Sequence, residues 1–351
     1  LAREVLTLKT LFTALFAATG LNQTDPNLLL VGLCLVLSCI LSLLFTPISI
    51  KLAHRFGVLD TPGERRVHKH PIPRWGGLAM SAAFIVSIFL ITPLRQWLTE
   101  GNMINSRVAG IVIGGVLVTI LGAIDDKYSV SPKVKLLGQI ICAAVMVICF
   151  NVRPLVIFDF DLINNPNLEI YSYIIGIIWV VAITNTINLI DGLDGLAAGT
   201  CGIVAMTFVT IAMVTREASG EAMLAAALAG VCLGFLRYNF NPARVFMGDA
   251  GSHFLGFTIA GLSLLHNWKV ATGVAFAVPI LVLAVPIFDT LFAIIRRAWR
   301  HQPIFSADKG HLHHRLLALG MNQRLVVLTI YLLTAVCCIV AVILARGRMP
   351  Q

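Results

Sequence analysis

Apolar runs approaching twenty residues recur along most of this 351-residue chain, separated by short polar breaks. Runs such as Val134 to Phe150 are continuous, without the alternation a membrane-spanning strand would need, and a spanning segment has to satisfy its backbone internally, so the pattern predicts helices. Ten spans follow, at 28–50, 76–92, 107–124, 134–150, 170–188, 196–215, 222–238, 252–266, 270–296 and 325–345. The expected fold is an all-α polytopic membrane protein with its polar loops gathered on one side. Residues 28–345 form a single transmembrane domain, 346–351 a short tail, and no soluble domain remains. In 1–27, Leu1, Val5, Leu6, Leu8, Leu11, Phe12 and Leu15 fall mostly on one helical stripe, but Arg3, Glu4 and Lys9 interrupt any span. That pattern predicts an interfacial helix rather than a cleavable signal peptide.

Composition agrees with this class: 58% of residues are hydrophobic and 12% charged, with a mean hydropathy of +0.89. The net charge of +9 is mainly a topology signal. Lys51, Arg55, Arg65, Arg66, Lys69, Arg74, Lys127, Lys133, Arg244, Arg297, Arg300, Lys309 and Arg315 follow the first, third, seventh and ninth spans, whereas the alternate loops carry mainly Arg95, Arg153 and Arg216. The first set is therefore expected in the cytoplasm, with both termini outside. The scattered basic residues form no nucleic-acid module. All eight cysteines fall within predicted spans, have no CxxC pairing and read as packing residues.

The dense polar clusters all fall on the expected cytoplasmic side: DTPGERRVHKHPIPRWGG (60–77), GAIDDKYSVSPK (122–133), NTINLIDGLDG (185–195), RYNFNPARVFMGDAGS (237–252) and RRAWRHQPIFSADKGHLHHR (296–315). Asp125 and Asp126 end the third span, where adjacent carboxylates repel; a plain helix end, a cation such as Mg²⁺, or neighbouring Lys127 would each accommodate them. Asn188, Asp191 and Asp194 recur every three residues, which on a helical turn spreads them over an arc of about 120° toward one cavity, while Asn185 reads as a buried hydrogen-bonding residue. Asp249, between Gly248 and Gly251, is either an N-cap or a metal ligand beside a phosphate held at a helix N-terminus.

His311, His313, His314 and Arg315 share one loop. A zinc site and a solvated loop are both alternatives, but no Cys or Glu lies at ligand spacing, and the His and Arg types suit a phosphate or sugar contact. Asp289 is the one carboxylate well inside a span, where it is either catalytic or paired with an arginine such as Arg296; the structural pair is the preferred reading.

Taken together, DDKYS, NLIDGLDGLAAG, VFMGDAGS, PIFDTLFAIIRR, FSADKGHLHHRL and LDTPGERRVHKHPIPRWGGL resemble the polyprenyl-phosphate N-acetylhexosamine-1-phosphate transferases, from about residue 28 to 345. The nearer likeness is to bacterial enzymes that load undecaprenyl phosphate with GlcNAc-1-phosphate, and phospho-MurNAc-pentapeptide transferase is a more distant relative. The resemblance implies transfer of a sugar phosphate from a UDP-amino sugar to undecaprenyl phosphate in the bacterial inner membrane. UMP is released, Mg²⁺ (or Mn²⁺ in its place) is required, and the active site faces the cytosol. The step would initiate a cell-surface polysaccharide of O-antigen, common-antigen or teichoic-acid type, and a homodimer is compatible with it.

Residue by residue, the resemblance places Mg²⁺ at Asp249 with help from Asn188 and Asp191, and Asp125 and Asp126 beside the lipid phosphate. Asp194 would lie near the uridine, and Arg66, His68, Lys69, His313, His314 and Arg315 on phosphate. Arg315 stands where the peptidoglycan-precursor branch carries His, which favours a plain N-acetylhexosamine donor over MurNAc-pentapeptide.

For mechanism, the expected course is in-line attack by the lipid phosphate, already largely ionised at pH 7 because its second pKa is about 6. An aspartyl-phosphate intermediate at Asp125 or Asp126 is the rival. A lipid-carrier transporter or flippase is the alternative of a different class, but the chain shows no internal repeat and its polar residues cluster at one face. An inactive scaffold would be expected to lack a carboxylate motif, and none is lost.

Overall fold

The computed structural model describes residues 26–61, 70–99, 104–154, 156–157, 160–161, 168–215, 219–265, 277–299 and 311–346. Arg66, His68 and Lys69, residues 1–25 of the N-terminal segment, and the tail beyond 346 lie outside the described residues. The helices are α1 (Pro26–Phe56), α2 (Gly76–Thr99), α3 (Ser106–Tyr128), α4 (Pro132–Ala144), α5 (Glu169–Ile190), α6 (Leu196–Thr215), α7 (Ser219–Asn239), α8 (Gly248–Leu265), α9 (Ala277–Val282), α10 (Ala284–Trp299), α11 (Leu312–Ala318) and α12 (Gln323–Arg346). Helix α4 ends in a π turn, Val145–Cys149. Two antiparallel strand pairs, β1 (Leu59–Asp60) with β2 (Ile72–Pro73) and β3 (Val156–Ile157) with β4 (Phe160–Asp161), are the strands among the described residues. The expected all-α membrane fold is what the chain adopts.

Eight of the described helices are long and apolar enough to cross a membrane. The stretch expected to span at 252–266 falls in α8, which is not among these eight; it begins earlier, at Gly248, and is buried at every residue except Asp249. It is the central helix, packed against α2, α3 and α5, with α1, α6 and α7 forming the layer beyond. Small residues let the backbones come close: a Cβ on Gly256 of α8 would collide with the Thr184 backbone of α5, and one on Gly122 of α3 with the backbone of Asp249 and Ala250.

The single span expected at 270–296 is not continuous over its described part, because α9 and α10 are separated at Leu283. Pro286 has no N–H to give the carbonyl four residues back, at Val282, and its ring clashes with that carbonyl in a straight helix. The freed Val282 oxygen instead accepts from the Cys338 thiol of α12, at 3.9 Å. All eight cysteines are free, and most are buried in the packing.

Candidate active site

The site is organised around the first turn of α8. Gly248 has φ +68°, and a side chain there would also collide with the Arg74 carbonyl and the Asp126 carboxylate. Asp126 comes from the end of α3 and accepts from the backbone N–H groups of Asp249 (2.9 Å) and Ala250 (3.1 Å). It thus supplies from a distant helix the anionic acceptor that a helix N-terminus requires. Arg74 lies 3.5 Å from Asp126 and 3.8 Å from Asp60, so one guanidinium joins the β1–β2 hairpin to the capping acid. The backbone continues the connection: Phe246 N–H donates to the Pro73 carbonyl (2.8 Å), and the Gly76 and Gly77 N–H groups donate to Phe246 (3.0 Å) and Met247 (2.9 Å). The conformation of the hairpin base and the position of Asp249 are therefore linked.

Asp125, one residue before the capping acid, faces elsewhere. Its Oδ1 accepts from Val130 N–H at 2.7 Å, and its Oδ2 forms an ion pair with Lys135 of α4 that lacks hydrogen-bond alignment. The same ammonium donates to Asp249 Oδ2 at 2.5 Å. Asn188 Nδ2 approaches from α5 and donates to Asp249 Oδ1 and Ser252 Oγ, each at 2.8 Å. Asp249 is thus held on both oxygens, and Lys135, rather than the expected Lys127, is the ammonium paired with Asp125. Lys127 instead lies over the rings of Phe56 (5.5 Å) and Tyr128 (5.1 Å).

Above this floor opens a cleft of about 960 Å³ whose lining includes Asp60, His70, Arg74, Asn188, Asp191, Asp194, Asn241, Arg244, Asp249, His314 and Gln323. Four carboxylates and amides expected in the site, Asn188, Asp191, Asp194 and Asp249, do meet there. Asp191 closes α5, and its carboxyl has no hydrogen-bond partner among the described residues. Burial, then the negative charges of Asp249 and Asp126, push its pKa well above the usual carboxylate range, with Arg74 opposing. Asp194 is engaged through one oxygen: its Oδ2 accepts from Asn241 Nδ2 and Ala243 N–H, both at 3.0 Å, while Asn241 also donates to Gln323 of α12. Asp194 therefore anchors the cleft wall.

A glycosyl transferase family 4 model matches residues 108–267, which run from α3 through α8. The chain is 40% identical over 331 residues to a Bacillus subtilis protein named probable undecaprenyl-phosphate N-acetylglucosaminyl 1-phosphate transferase, covering 93% of this chain and 88% of that protein. It is 34% identical to a Mycobacterium tuberculosis decaprenyl-phosphate N-acetylglucosaminephosphotransferase, over 80% of this chain and 74% of that one. A Desulforudis audaxviator phospho-N-acetylmuramoyl-pentapeptide-transferase is 29% identical, over 87% of this chain and 94% of its own length. The chain belongs to glycosyl transferase family 4. The likeness read from the six motifs is borne out.

In this family 4 member the histidine motif packs as a stack. His311 and His313 lie parallel with centroids 5.8 Å apart, and His313 and His314 are 4.3 Å apart. His313 is 2% exposed and sits behind Gly192, where a Cβ would fall 2.8 Å from its Nε2. Burial, with His314 beside it, lowers the His313 pKa to about 4, so it is neutral at pH 7. Of the predicted motif residues, only His314 lines the cleft. Arg315 is exposed, its guanidinium over the Phe292 ring at 5.1 Å, and does not line the cleft. Asp289, expected beside an arginine such as Arg296, instead meets His311 Nδ1 (3.0 Å) and accepts from Leu312 N–H (2.7 Å), so it holds the start of α11.

The donor set bears on the metal that the resemblance implies. Asp191 and Asp249 offer hard oxygen donors in one cleft, and Asp191 is unpaired, which fits a cation such as Mg²⁺ that takes one or two carboxylates and completes its shell with phosphate oxygens. Among the described residues no three His, Cys, Asp or Glu side chains converge as a closed metal cage. Asn188 presents its amide nitrogen to Asp249, so its amide would have to turn before its oxygen could join them. Lys135, Arg74, Arg244 and Asn241 were not singled out from sequence as site residues. Lys135 had one available signal, an ammonium at the second position of a predicted span.

Proposed function

We propose that this chain transfers N-acetylhexosamine-1-phosphate, with GlcNAc-1-phosphate the leading candidate, from a UDP-sugar to undecaprenyl phosphate, releasing UMP. The step would begin a cell-surface polysaccharide at the cytosolic face of the bacterial inner membrane. One observation carries this reading: the Asp125–Lys135–Asp249 charge cluster at the end of membrane-spanning helices, opening into a cleft large enough for a nucleotide sugar. The names of relatives favour the GlcNAc donor, since the Bacillus subtilis and Mycobacterium tuberculosis proteins, both above 30% identity, are named for N-acetylglucosamine phosphate transfer.

The residues divide the work. Lys135 places positive charge at membrane depth, where a lipid phosphate dianion needs compensation. Asp249 and Asp191 are the ligands we assign to Mg²⁺, which when bound would offset the negative charge developing on the departing UMP. His314, Arg74 and Arg244 line the cleft as donors to a diphosphate or sugar. The lipid phosphate, largely ionised at pH 7, attacks the sugar-bound phosphorus and breaks its bond to the UMP oxygen without a base having to remove a proton, so Asp125 orients Lys135 and the incoming phosphate. If a covalent intermediate forms, it forms on Asp125, because both oxygens of Asp126 are held by backbone N–H groups.

The test is UMP release by the purified protein from a panel of UDP-sugars, with and without undecaprenyl phosphate and Mg²⁺. Release from UDP-GlcNAc that needs both additions is expected; turnover of UDP-MurNAc-pentapeptide alone would overturn the donor assignment. Exchange of labelled UMP into UDP-GlcNAc without lipid would favour the covalent route over direct attack.

A further inference from the structure

The charged floor of the cleft rests on a second polar layer. Lys135 and Gln139 lie four residues apart on α4, Asp249 and His253 four apart on α8, and Asn188 and Asn185 three apart on α5. These spacings stack each pair on one helix face. In all three helices the second member lies one turn further from the end that carries the site. Asn185 Nδ2 donates to Gln139 Oε1 at 2.6 Å and to the Val181 carbonyl at 2.8 Å. Gln139 Nε2 lies 3.1 Å from His253 Nε2. An amide nitrogen can only donate, so the ring nitrogen accepts and the imidazole proton sits on Nδ1. The chain has one direction, from Asn185 through Gln139 to His253, and it is neutral throughout. Gln139 is 2% exposed and His253 0%.

Three neutral polar side chains in the apolar middle of a helix bundle need a reason, since apolar residues of similar shape would fill the space without desolvation cost. We propose that Asn185, Gln139 and His253 are positioning residues for the transfer reaction. By tying α4, α5 and α8 together one turn below the charges, they fix the rotation of each helix and so the placement of Lys135, Asp249 and Asn188 relative to one another. Lys135 has a flexible stem and reaches two carboxylates on different helices, so its placement is sensitive to small rotations of α4 against α8. The proposal rests on the functional reading above.

The experiment compares Gln139→Leu, His253→Leu, the double Gln139→Leu/His253→Leu and His253→Gln with the wild type. It measures UMP release from UDP-GlcNAc with undecaprenyl phosphate and Mg²⁺, and thermal stability in detergent. Each single Leu variant strands a buried polar partner, and a displacement near 1 Å at a reacting group costs on the order of 10²-fold, so kcat is expected to fall about 10–100-fold with KM for UDP-GlcNAc nearly unchanged. His253→Gln puts an acceptor back in reach of Gln139 and should keep most of the wild-type kcat. The double variant is decisive: with Gln139 and His253 both replaced, Asn185 alone loses a partner and it keeps the Val181 carbonyl, so thermal stability should recover above that of Gln139→Leu while kcat stays low. Wild-type kcat in the double variant, or losses that follow lost stability in every variant, would overturn the proposal. Wild-type turnover carries the functional reading and the variant-to-wild-type ratio carries this one, so the two fail separately.

Discussion

Asp126 accepts a hydrogen bond from the backbone N–H of Asp249 at 2.9 Å, across 123 residues of sequence, while its neighbour Asp125 lies beside the Asp249 side chain and shares Lys135 with it. Two adjacent carboxylates of one motif therefore act on the same residue in different ways. One holds its backbone and the other shares its counter-charge.

That division predicts opposite stability effects. Asp126→Asn turns an NH₂ toward one of two backbone donors inside a buried site and weakens the contact with Arg74, so it should lower stability by about 1–3 kcal/mol and transfer with it. Asp125→Asn removes one of two acids sharing Lys135 and leaves the Lys135–Asp249 pair in place, so the protein should melt near the wild-type temperature while transfer is lost. Thermal melts beside UMP-release assays separate the two; equal melting temperatures would contradict the capping role.

Lys135→Met tests the shared ammonium. Without it, Asp125 and Asp249 face one another uncompensated, and the positive charge that would repel a divalent cation from Asp249 is gone. The variant should show a lower Mg²⁺ midpoint in a metal-dependent thermal shift and a kcat reduced by about 10²-fold or more, the scale of losing one preorganised electrostatic group. An unchanged midpoint would mean that the cation and Lys135 do not share Asp249.

Much of this site was legible in the sequence because its motifs are local. Asn188, Asp191 and Asp194 repeat every three residues at the end of a span, and Asp249 sits between glycines at the start of another, so the shared cavity followed. What was hidden depends on contacts between distant helices. Lys135 looks like the basic flank of a span until its partner, 114 residues away, is in place. Asp126 reads as half of an acidic pair until the N-terminus of α8 is found against it. Arg315 was expected on phosphate from its residue type and the resemblance, but the step of one residue along α11 from His314 turns it away from the cleft to Phe292. The break at Leu283 was readable in Pro286, but apolar continuity across 270–296 outweighed that signal.

His313 predicts a pH dependence outside the membrane-spanning helices. Its pKa of about 4 in the folded protein lies below the ordinary 6.5, so the unfolded chain binds the proton more readily. The stability contributed by keeping it neutral is complete above 6.5 and is lost as pH falls from 6.5 toward 4, by up to about 3 kcal/mol. His313→Gln should remove part of that acid sensitivity, seen as a smaller fall in melting temperature between pH 7.5 and 5. An identical fall would place the acid-sensitive group elsewhere.

Asp191 and Asp194, three residues apart in NLIDGLDG, should respond in opposite directions to the same change. The raised pKa of Asp191 means that the folded protein holds its proton more tightly than the unfolded chain. Its contribution is full below the ordinary carboxylate range and is lost as pH rises toward the folded value, so at pH 7 ionising this half-buried acid beside Asp249 weighs against folding. Asp191→Asn removes that cost and should raise the melting temperature at pH 7–8 while abolishing transfer, because it also removes an assigned Mg²⁺ ligand. Asp194 instead accepts from Asn241 and Ala243 and, through Asn241, ties the cleft wall to Gln323. Asp194→Asn loses the charge on those bonds and should lower stability by about 1–2 kcal/mol along with transfer. Melting curves of the two variants at pH 7.5 decide the matter: if Asp191→Asn is the less stable of the pair, Asp191 is a structural acid and the metal-ligand assignment passes to Asp249 alone.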